Sequence, residues 1–428
     1  MKLPLSETVY ERKSHDMEHL LKLETISGGI TAPRGFRAAG IHCGLRKSKS
    51  RKDLALIYAE HPCSAAGVYT TNRVFAAPVG VTRAHLSNGI AQAVICNSGN
   101  ANTCNSDGYE KANLTCRTLA GALGIKEEDI IVASTGVIGV PLPIEPIIDG
   151  IPALAEALED TEEASESAAV AIMTTDTRKK EFSFVFDIDG TEVRIGGICK
   201  GSGMIEPNMA TMLGFLTTDA NISPEQLSRA LTDVIPNTFN MVSVDGDTST
   251  NDMVCILASG EAKNQEICGE GKAYDAFRTA LEHVCRTMAK AIASDGEGAT
   301  KLLECRVSHY RDLVGAKKLA KSIINSSLVK TAMFGADANW GRILCALGYA
   351  GLDIDTEKID VRFHSRAGEI LVCEDGKGYP FDEDTAKSIL EKDEVVIDVD
   401  MKDGEASAVA WGCDLSYEYV RINGDYRS

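Results

Sequence analysis

Histidine and aromatic residues are scarce: eight histidines, two tryptophans and a 6% aromatic share in 428 residues. No histidine sits in an obvious triad setting, so a Ser-His-Asp or Cys-His hydrolase is poorly supported. There is no Walker loop, no GxGxxG after a strand, no HExxH and no GxSxG. The signatures of nucleotide cradling, dinucleotide binding, zinc proteolysis and the hydrolase elbow are therefore missing.

Positive charge is also in deficit, with 44 Lys+Arg against 62 Asp+Glu and a net charge of -18. Such a surface repels nucleic acid and anionic membranes, so neither is expected as a partner. No apolar run reaches the length of a membrane span. The opening MKLPLSETVYERKSHDMEHLLKLET lacks an apolar core and mixes acids with bases, unlike a signal or transit peptide. The thirteen cysteines form no CxxC pair and no Cys/His cluster of zinc spacing. Most fall in apolar runs such as AVICN and MVCIL, where a thiol acts as a small buried hydrophobe. That usage predicts a reducing compartment, the cytoplasm, and no metal.

What is present is ordinary for a globular protein: 44% hydrophobic and 25% charged residues, enough for a sizeable core. The length suggests two or three domains. Between Gly28 and Asn105, apolar runs alternate with Gly, Pro and Asn punctuation (TAPRGFRAAG, LALIYA, AAGVYT, QAVICNSGNAN), predicting short strands and tight turns. Helices are predicted over 109–123, 144–158 and 224–235, with a solvated helix start in EDTEEASESAA. Over 181–198, Phe182, Phe184, Phe186 and Ile188 alternate, Asp189-Gly190 turns, and Val193 and Ile195 return, which predicts a hairpin. A second hairpin is predicted from VVIDVDM through Asp403-Gly404 to ASAVAWG. Phe277, Leu281, Val284, Cys285, Met288 and Ile292 share one face of a predicted helix over 274–292.

Four segments are candidates for chemistry. In the run from Lys200 to Leu213 (KGSGMIEPNMATML), a strand ends in a Gly-rich basic turn and a small residue precedes Thr211. If the Ala210–Thr211 bond is attacked by the Thr211 hydroxyl and the resulting ester hydrolysed, Thr211 becomes N-terminal. Its free amine then serves as base for its own oxygen. An α-amine titrates at about 7.7–8.0, and Lys200 nearby pushes it toward the neutral form. In ASTGVIG, the Thr135-Gly136 turn can present a hydroxyl and a backbone N–H to an oxyanion. In DGEGATK, Glu297 lies between glycines at a helix end, where a carboxylate can reach a ligand amine. The fourth is the C-terminus, VRINGDYRS. Each taken alone also fits an ordinary turn, cap or tail. VDGDTSTND clusters Asp245, Asp247 and Asp252, which by composition could hold a metal; a polar loop near the site is preferred.

Taken together, these segments resemble the ornithine acetyltransferase family, also called bifunctional glutamate N-acetyltransferase. GITAPRGFRAAGIHCGLRK, AVICNSGNAN, STGVIG, AIMTTDT, KGSGMIEPNMATML, DGEGATK, ADANWGRILCALGYAG and YVRINGDYRS occur in this order from about Gly28 to Ser428. The resemblance implies an α/β (α+β) fold of layered sheets with outer helices, self-cleaving and like the N-terminal-nucleophile proteins. It implies cleavage between Ala210 and Thr211 into an α chain, 1–210, and a β chain, 211–428, with the cut between domains and an α2β2 assembly. Thr211 is implied as nucleophile, and Thr135 and Gly136 as oxyanion hole. Thr174 (or its neighbour Thr175), Lys200, Thr211, Glu297, Asn423 and Ser428 are implied as substrate-binding. The implied substrates are N2-acetylornithine and glutamate in a ping-pong acetyl transfer, with no cofactor. Some members also take acetyl from acetyl-CoA, and the residues leave that donor open here. Two other readings stand beside this one: an N-terminal-nucleophile peptidase or amidase, and a non-catalytic single-chain binding protein.

Overall fold

The computed structural model describes residues 21–206 and 212–424. They form two compact units: 21–240 with 247–288, and 241–246 with 289–424. Both are a mixed sheet with helices, the layered α/β class that the sequence predicts.

The larger unit is built on a nine-stranded sheet. Its strands are β1 (Glu24–Thr25), β2 (Phe36–Ile41), β3 (Leu54–Tyr69), β4 (Ile90–Asn100), β5 (Ile130–Val137), β6 (Lys180–Ile188), β7 (Thr191–Lys200), β8 (Leu213–Thr218) and β9 (Met253–Ala258). The order is β1-β6-β7-β8-β9-β3-β4-β5, with β2 also on β3. LALIYA and AAGVYT, predicted as separate strands, are the two halves of β3. Its first half pairs with β2 and its second with β9, and the register against β4 shifts between Tyr58 and Cys63. Pro62 lies in that shift, where a residue without an N–H costs the ladder least. The hairpin over 181–198 is present as β6 and β7, with Phe186 opposite Val193.

The centre of this sheet is buried on both faces. Along β4 and β5, Val94, Cys96, Ile131 and Ala133 face one core cluster, and Ala93, Ile95, Ile130 and Val132 the other. This is the two-residue alternation of a strand. The second cluster is closed by Leu119 of α2 (Gly108–Leu123) and by Ile147, Ile151 and Leu154 of α3 (Glu145–Glu156). A helix missing from the sequence reading, α1 (Ala77–His85), packs ahead of α2 in the chain, with Val79 and Val81 buried. The acidic stretch becomes α4 (Glu162–Ile172), capped by Thr161, whose alanine face is buried on β2. α5 (Pro224–Val234) begins at a Ser223 cap. The predicted amphipathic helix is α6 (Lys272–Ser294), with its whole apolar face buried.

The smaller unit carries a seven-stranded sheet. β10 (Leu302–Tyr310), β11 (Asp360–Ser365), β12 (Gly368–Glu374), β13 (Glu394–Asp400) and β14 (Ala406–Cys413) lie in the order β12-β11-β13-β10-β14, flanked by the short strands Lys377–Gly378 and Val242–Ser243. The second predicted hairpin is wrong. β13 and β14 do not pair with each other; β10 lies between them, parallel to β13 and antiparallel to β14. The Asp403-Gly404 segment is therefore a wide crossing over the end of β10. Gly404, at φ +153°, passes so close to the Tyr310 carbonyl that a side chain would overlap it.

β10 also buries Glu304, which is 3% exposed. Its carboxylate meets Lys290 at 2.6 Å, Arg306 at 2.7 Å and the Trp411 indole N–H at 2.9 Å. Burial alone would push its pKa up, but the two cations and the indole bond bring it down to about 2. A carboxyl depressed on folding contributes stability above its ordinary value of 4.5 and loses it as pH falls toward 2. Urea melts of Glu304→Gln are expected to show lower stability than wild type at neutral pH and a flatter decline through that acid window. An acid limb as steep as that of the wild type would contradict this account.

Candidate active site

In the larger unit, Thr135 and Gly136 end β5, side by side with Ser98 and Gly99 of β4. Gly136 has φ +133°, and a Cβ there would overlap the Gly99 carbonyl and come within 2.6 Å of the Asn100 nitrogen. Only glycine fits so close to the neighbouring strand. Thr135 is nearly buried, and among the described residues its hydroxyl makes no hydrogen bond. A threonine hydroxyl left uncommitted at such a turn is the kind of donor that an oxyanion could use.

Asn251 fixes this turn from the polar loop before β9. Its amide donates to the Ser134 carbonyl at 2.8 Å and to the Ala101 carbonyl at 2.6 Å, and its Oδ1 accepts from the Thr103 hydroxyl at 2.8 Å. The next residue, Asp252, is wholly buried with one carboxylate oxygen lacking a hydrogen bond. Burial pushes its carboxyl well above the ordinary value, against the opposing pull of Ser249 and Lys200. Its neighbour Met253 donates from its N–H to the Met212 carbonyl at 3.0 Å. Asp252 thus stands alongside the start of the β8 segment. Asp245, grouped with it in the sequence, belongs to the smaller unit and accepts from the Tyr419 hydroxyl.

Thr174 and Lys200 are joined through a residue that the sequence did not single out. Asp176 accepts from the Thr174 N–H at 2.9 Å, the Lys180 ammonium at 2.7 Å and the Gly201 N–H at 2.8 Å. Burial raises the pKa of Asp176, yet the charges of Lys200 and Lys180 and these bonds together hold it well below the usual carboxylate range. Lys180 is thereby spent on Asp176. Lys200, 8% exposed, has no ion-pair or hydrogen-bond partner among the described residues. Its charge acts on Asp176 and Asp252 without a bond to either, which leaves its N–H groups available to a carboxylate. Thr174 and Thr175 are both half-buried. The turn that carries them is tied to β4, because Arg46 donates to the Met173 carbonyl at 2.6 Å and to Ser98 Oγ at 3.2 Å.

In the smaller unit, Glu297 and Asn423 meet: the Asn423 amide donates to the Glu297 carboxylate at 2.7 Å. Asn423 lies on α11 (Tyr417–Gly424), counted after α7 (Leu313–Asn325), α8 (Ser327–Phe334), α9 (Trp340–Gly348) and α10 (Glu383–Leu390). Gly298, at φ +71°, lets that helix seat, since a Cβ would stand 2.6 Å from the Tyr419 nitrogen. Asp414 holds the other side of the segment through the Thr300 hydroxyl and N–H and the Lys301 N–H. Asp176, Asn251 and Asp414 were missed by sequence reasoning, which named Asp252 only as part of a polar loop near the site. Of the remaining sequence-predicted residues, Ala210, Thr211 and Ser428 lie outside the described residues.

A family model described as the ArgJ family matches residues 37–428. An arginine biosynthesis bifunctional protein ArgJ from Caldanaerobacter subterraneus is 49% identical over 95% of this chain and the whole of that protein. One of the same name from Symbiobacterium thermophilum is 50% identical, again over 95% of this chain and all of the relative. Among solved structures, an arginine biosynthesis bifunctional protein argJ from Bacillus halodurans is 47% identical over half of this chain and all of that one, with a TM-score of 0.48.

Removing the Asn251 amide strands the Ser134 and Ala101 carbonyls in the interior. Unsatisfied buried groups cost about 1–3 kcal/mol each. Asn251→Ala is expected to lower the urea-unfolding midpoint clearly; a midpoint equal to that of the wild type would show that the amide does not hold the Thr135 turn.

Proposed function

The chain belongs to the ArgJ family, and from that premise we propose that it is an ornithine acetyltransferase of arginine biosynthesis that moves acetyl from N2-acetylornithine to glutamate through Thr211. The observation that carries the reading is Lys200: a nearly buried ammonium with no hydrogen bond among the described residues, at the end of β7, the last strand before the Ala210–Thr211 bond. It is a ready receptor for an amino-acid carboxylate.

The reaction proceeds in two halves. After cleavage at Ala210–Thr211, the freed Thr211 amine takes the proton of the Thr211 hydroxyl as that oxygen attacks the acetyl carbonyl. The Thr135 hydroxyl and the Gly136 N–H receive the oxyanion, each donor being worth about 2.7–4 kcal/mol by general experience. The tetrahedral carbon expels ornithine, whose nitrogen takes the proton, and an acetyl ester remains on Thr211. The α-amine of glutamate attacks the ester in the second half and leaves as N-acetylglutamate. One amide is exchanged for another of similar energy, so no external energy source is needed. The site has instead to keep water from the ester.

Thr174 and Lys200 are assigned to the substrate backbone. Glu297, oriented by Asn423, is assigned to the side-chain amine of ornithine, and Ser428 to the same pocket. β7 and β8 pair from Ile195–Thr218 to Lys200–Leu213, on either side of the cut. Glu206 and Met212 both belong to the larger unit. The sheet hydrogen bonds between β7 and β8 support an α and a β chain that stay together after the cut; two such pairs make the α2β2 assembly of the proposal. Nine of the thirteen cysteines are buried and none is paired, which fits a reducing cytoplasm.

Wild-type protein is expected to run as two fragments of nearly equal length on a denaturing gel, while Thr211→Ala stays a single chain and loses the exchange reaction. Release of free acetate without N-acetylglutamate would favour an amidase instead. Full exchange by the uncut variant would end the proposal.

A further inference from the structure

Glu297 is nearly buried, at 7% exposure, yet no cation pairs with it among the described residues. Its only hydrogen bond there comes from the Asn423 amide, on Oε2. The other oxygen, Oε1, is left available to a donor. Two lysines of the same unit, Lys301 and Lys330, are nearly buried as well, but both are spent elsewhere. The Lys301 ammonium donates to the Met333 carbonyl at 2.6 Å, and the Lys330 ammonium to the Cys413 carbonyl.

The chain around Glu297 is held from one stretch, 413–423. Gly296 lies so close to the end of β14 that a Cβ would come within 2.6 Å of Cys413 Sγ. The Ser416 hydroxyl donates to the Gly298 carbonyl at 2.5 Å and accepts from the Glu418 N–H at 3.2 Å, where it caps α11. Asp414, 2% exposed, accepts from the Thr300 N–H at 2.8 Å, the Lys301 N–H at 3.1 Å and the Thr300 hydroxyl. No cation bonds Asp414 among the described residues, so every hydrogen bond it accepts there comes from the segment just after Glu297. The same stretch ends in α11, whose Asn423 reaches the Glu297 carboxylate itself. Glu297 is thus fixed along its backbone by Asp414 and Ser416 and at its tip by Asn423.

We propose that Asp414, assisted by Ser416, is a positioning residue that sets the preference for a substrate with a terminal ammonium, by holding the chain that presents the Glu297 carboxylate to that group. The inference rests on the assignment of Glu297 to the side-chain amine of ornithine. An ammonium–carboxylate hydrogen bond is strong only at the right distance and angle. The groups that make it have to be held to within about 0.5 Å by the residues behind them. Asp414 acts through Glu297 and touches no substrate atom.

The test compares the binding of ornithine and of norvaline, the same acid without the terminal amine, to the mature full-length protein by titration calorimetry. The wild type is expected to favour ornithine. Asp414→Asn keeps the shape and an acceptor for the two N–H groups but removes the charge. It is expected to weaken ornithine binding by about 10-fold or more and to leave norvaline binding unchanged. In the exchange assay the same variant raises KM for acetylornithine and keeps kcat near that of the wild type. Partial unfolding would reduce the binding of both ligands alike and leave their ratio intact. Should Asp414→Asn fail to fold, Ser416→Ala, which frees the Gly298 carbonyl, carries the test with the same expected direction. A wild type that prefers ornithine but exchanges no acetyl contradicts the transferase reading; loss of that preference in the variant still supports the positioning role. Equal affinity of the wild type for ornithine and norvaline, or a variant that keeps the wild-type ratio, overturns the proposal even where exchange proceeds.

Discussion

A carboxylate removed from water has to be matched from the protein, and Asp176 is matched by one ammonium and two backbone N–H groups. Those partners come from the Thr174 turn, from Lys180 at the start of β6 and from Gly201 just past β7. One buried charge thereby ties the Thr174 turn to the start of β6 and the end of β7. It also sets the charge count. Lys180 bonds Asp176 directly, while Lys200 acts on it through charge and makes no hydrogen bond among the described residues.

The end of β5 rests on close packing rather than charge. β4 and β5 are buried on both faces, so their ends cannot shift without disturbing two core clusters. Gly136 sits against β4 at a distance that no side chain allows, and Asn251 pins the preceding carbonyl. A hydroxyl and an N–H offered from such a rigid edge need little reorganisation as charge develops. The polar loop that supplies Asn251 also supplies Asp252, whose carboxyl burial pushes up, alongside the first residues of the β8 segment.

Legibility followed locality. The β6–β7 hairpin was readable because alternation and Asp189-Gly190 encode both strands and their turn. The α6 helix was readable because six apolar residues at helical spacing have one common face. The Asp403-Gly404 hairpin failed for the same reason: alternation marks a strand without naming its partner, and β10 supplied the pairing from a hundred residues upstream. Helix α1 was missed because APVGVTRAH is short and rich in valine and threonine, with no repeated period to distinguish it from a strand. Thr135, Gly136, Thr174, Lys200, Glu297 and Asn423 could be named from motifs, and of these Glu297 and Asn423 are bonded to each other. Asp176, Asn251 and Asp414 could not, since an isolated Asp or Asn in a turn has many ordinary uses. Only the long-range partners reveal their roles.

The central claim is chemical: acetyl rests on the oxygen of Thr211 between the two halves of the exchange. The most direct measurement is mass spectrometry of the protein after incubation with N2-acetylornithine in the absence of glutamate. The account predicts one acetyl group on the peptide that begins at Thr211, lost again when glutamate is added. A single uncut chain that carries out the exchange, or an active enzyme on which that peptide never gains acetyl, would contradict it.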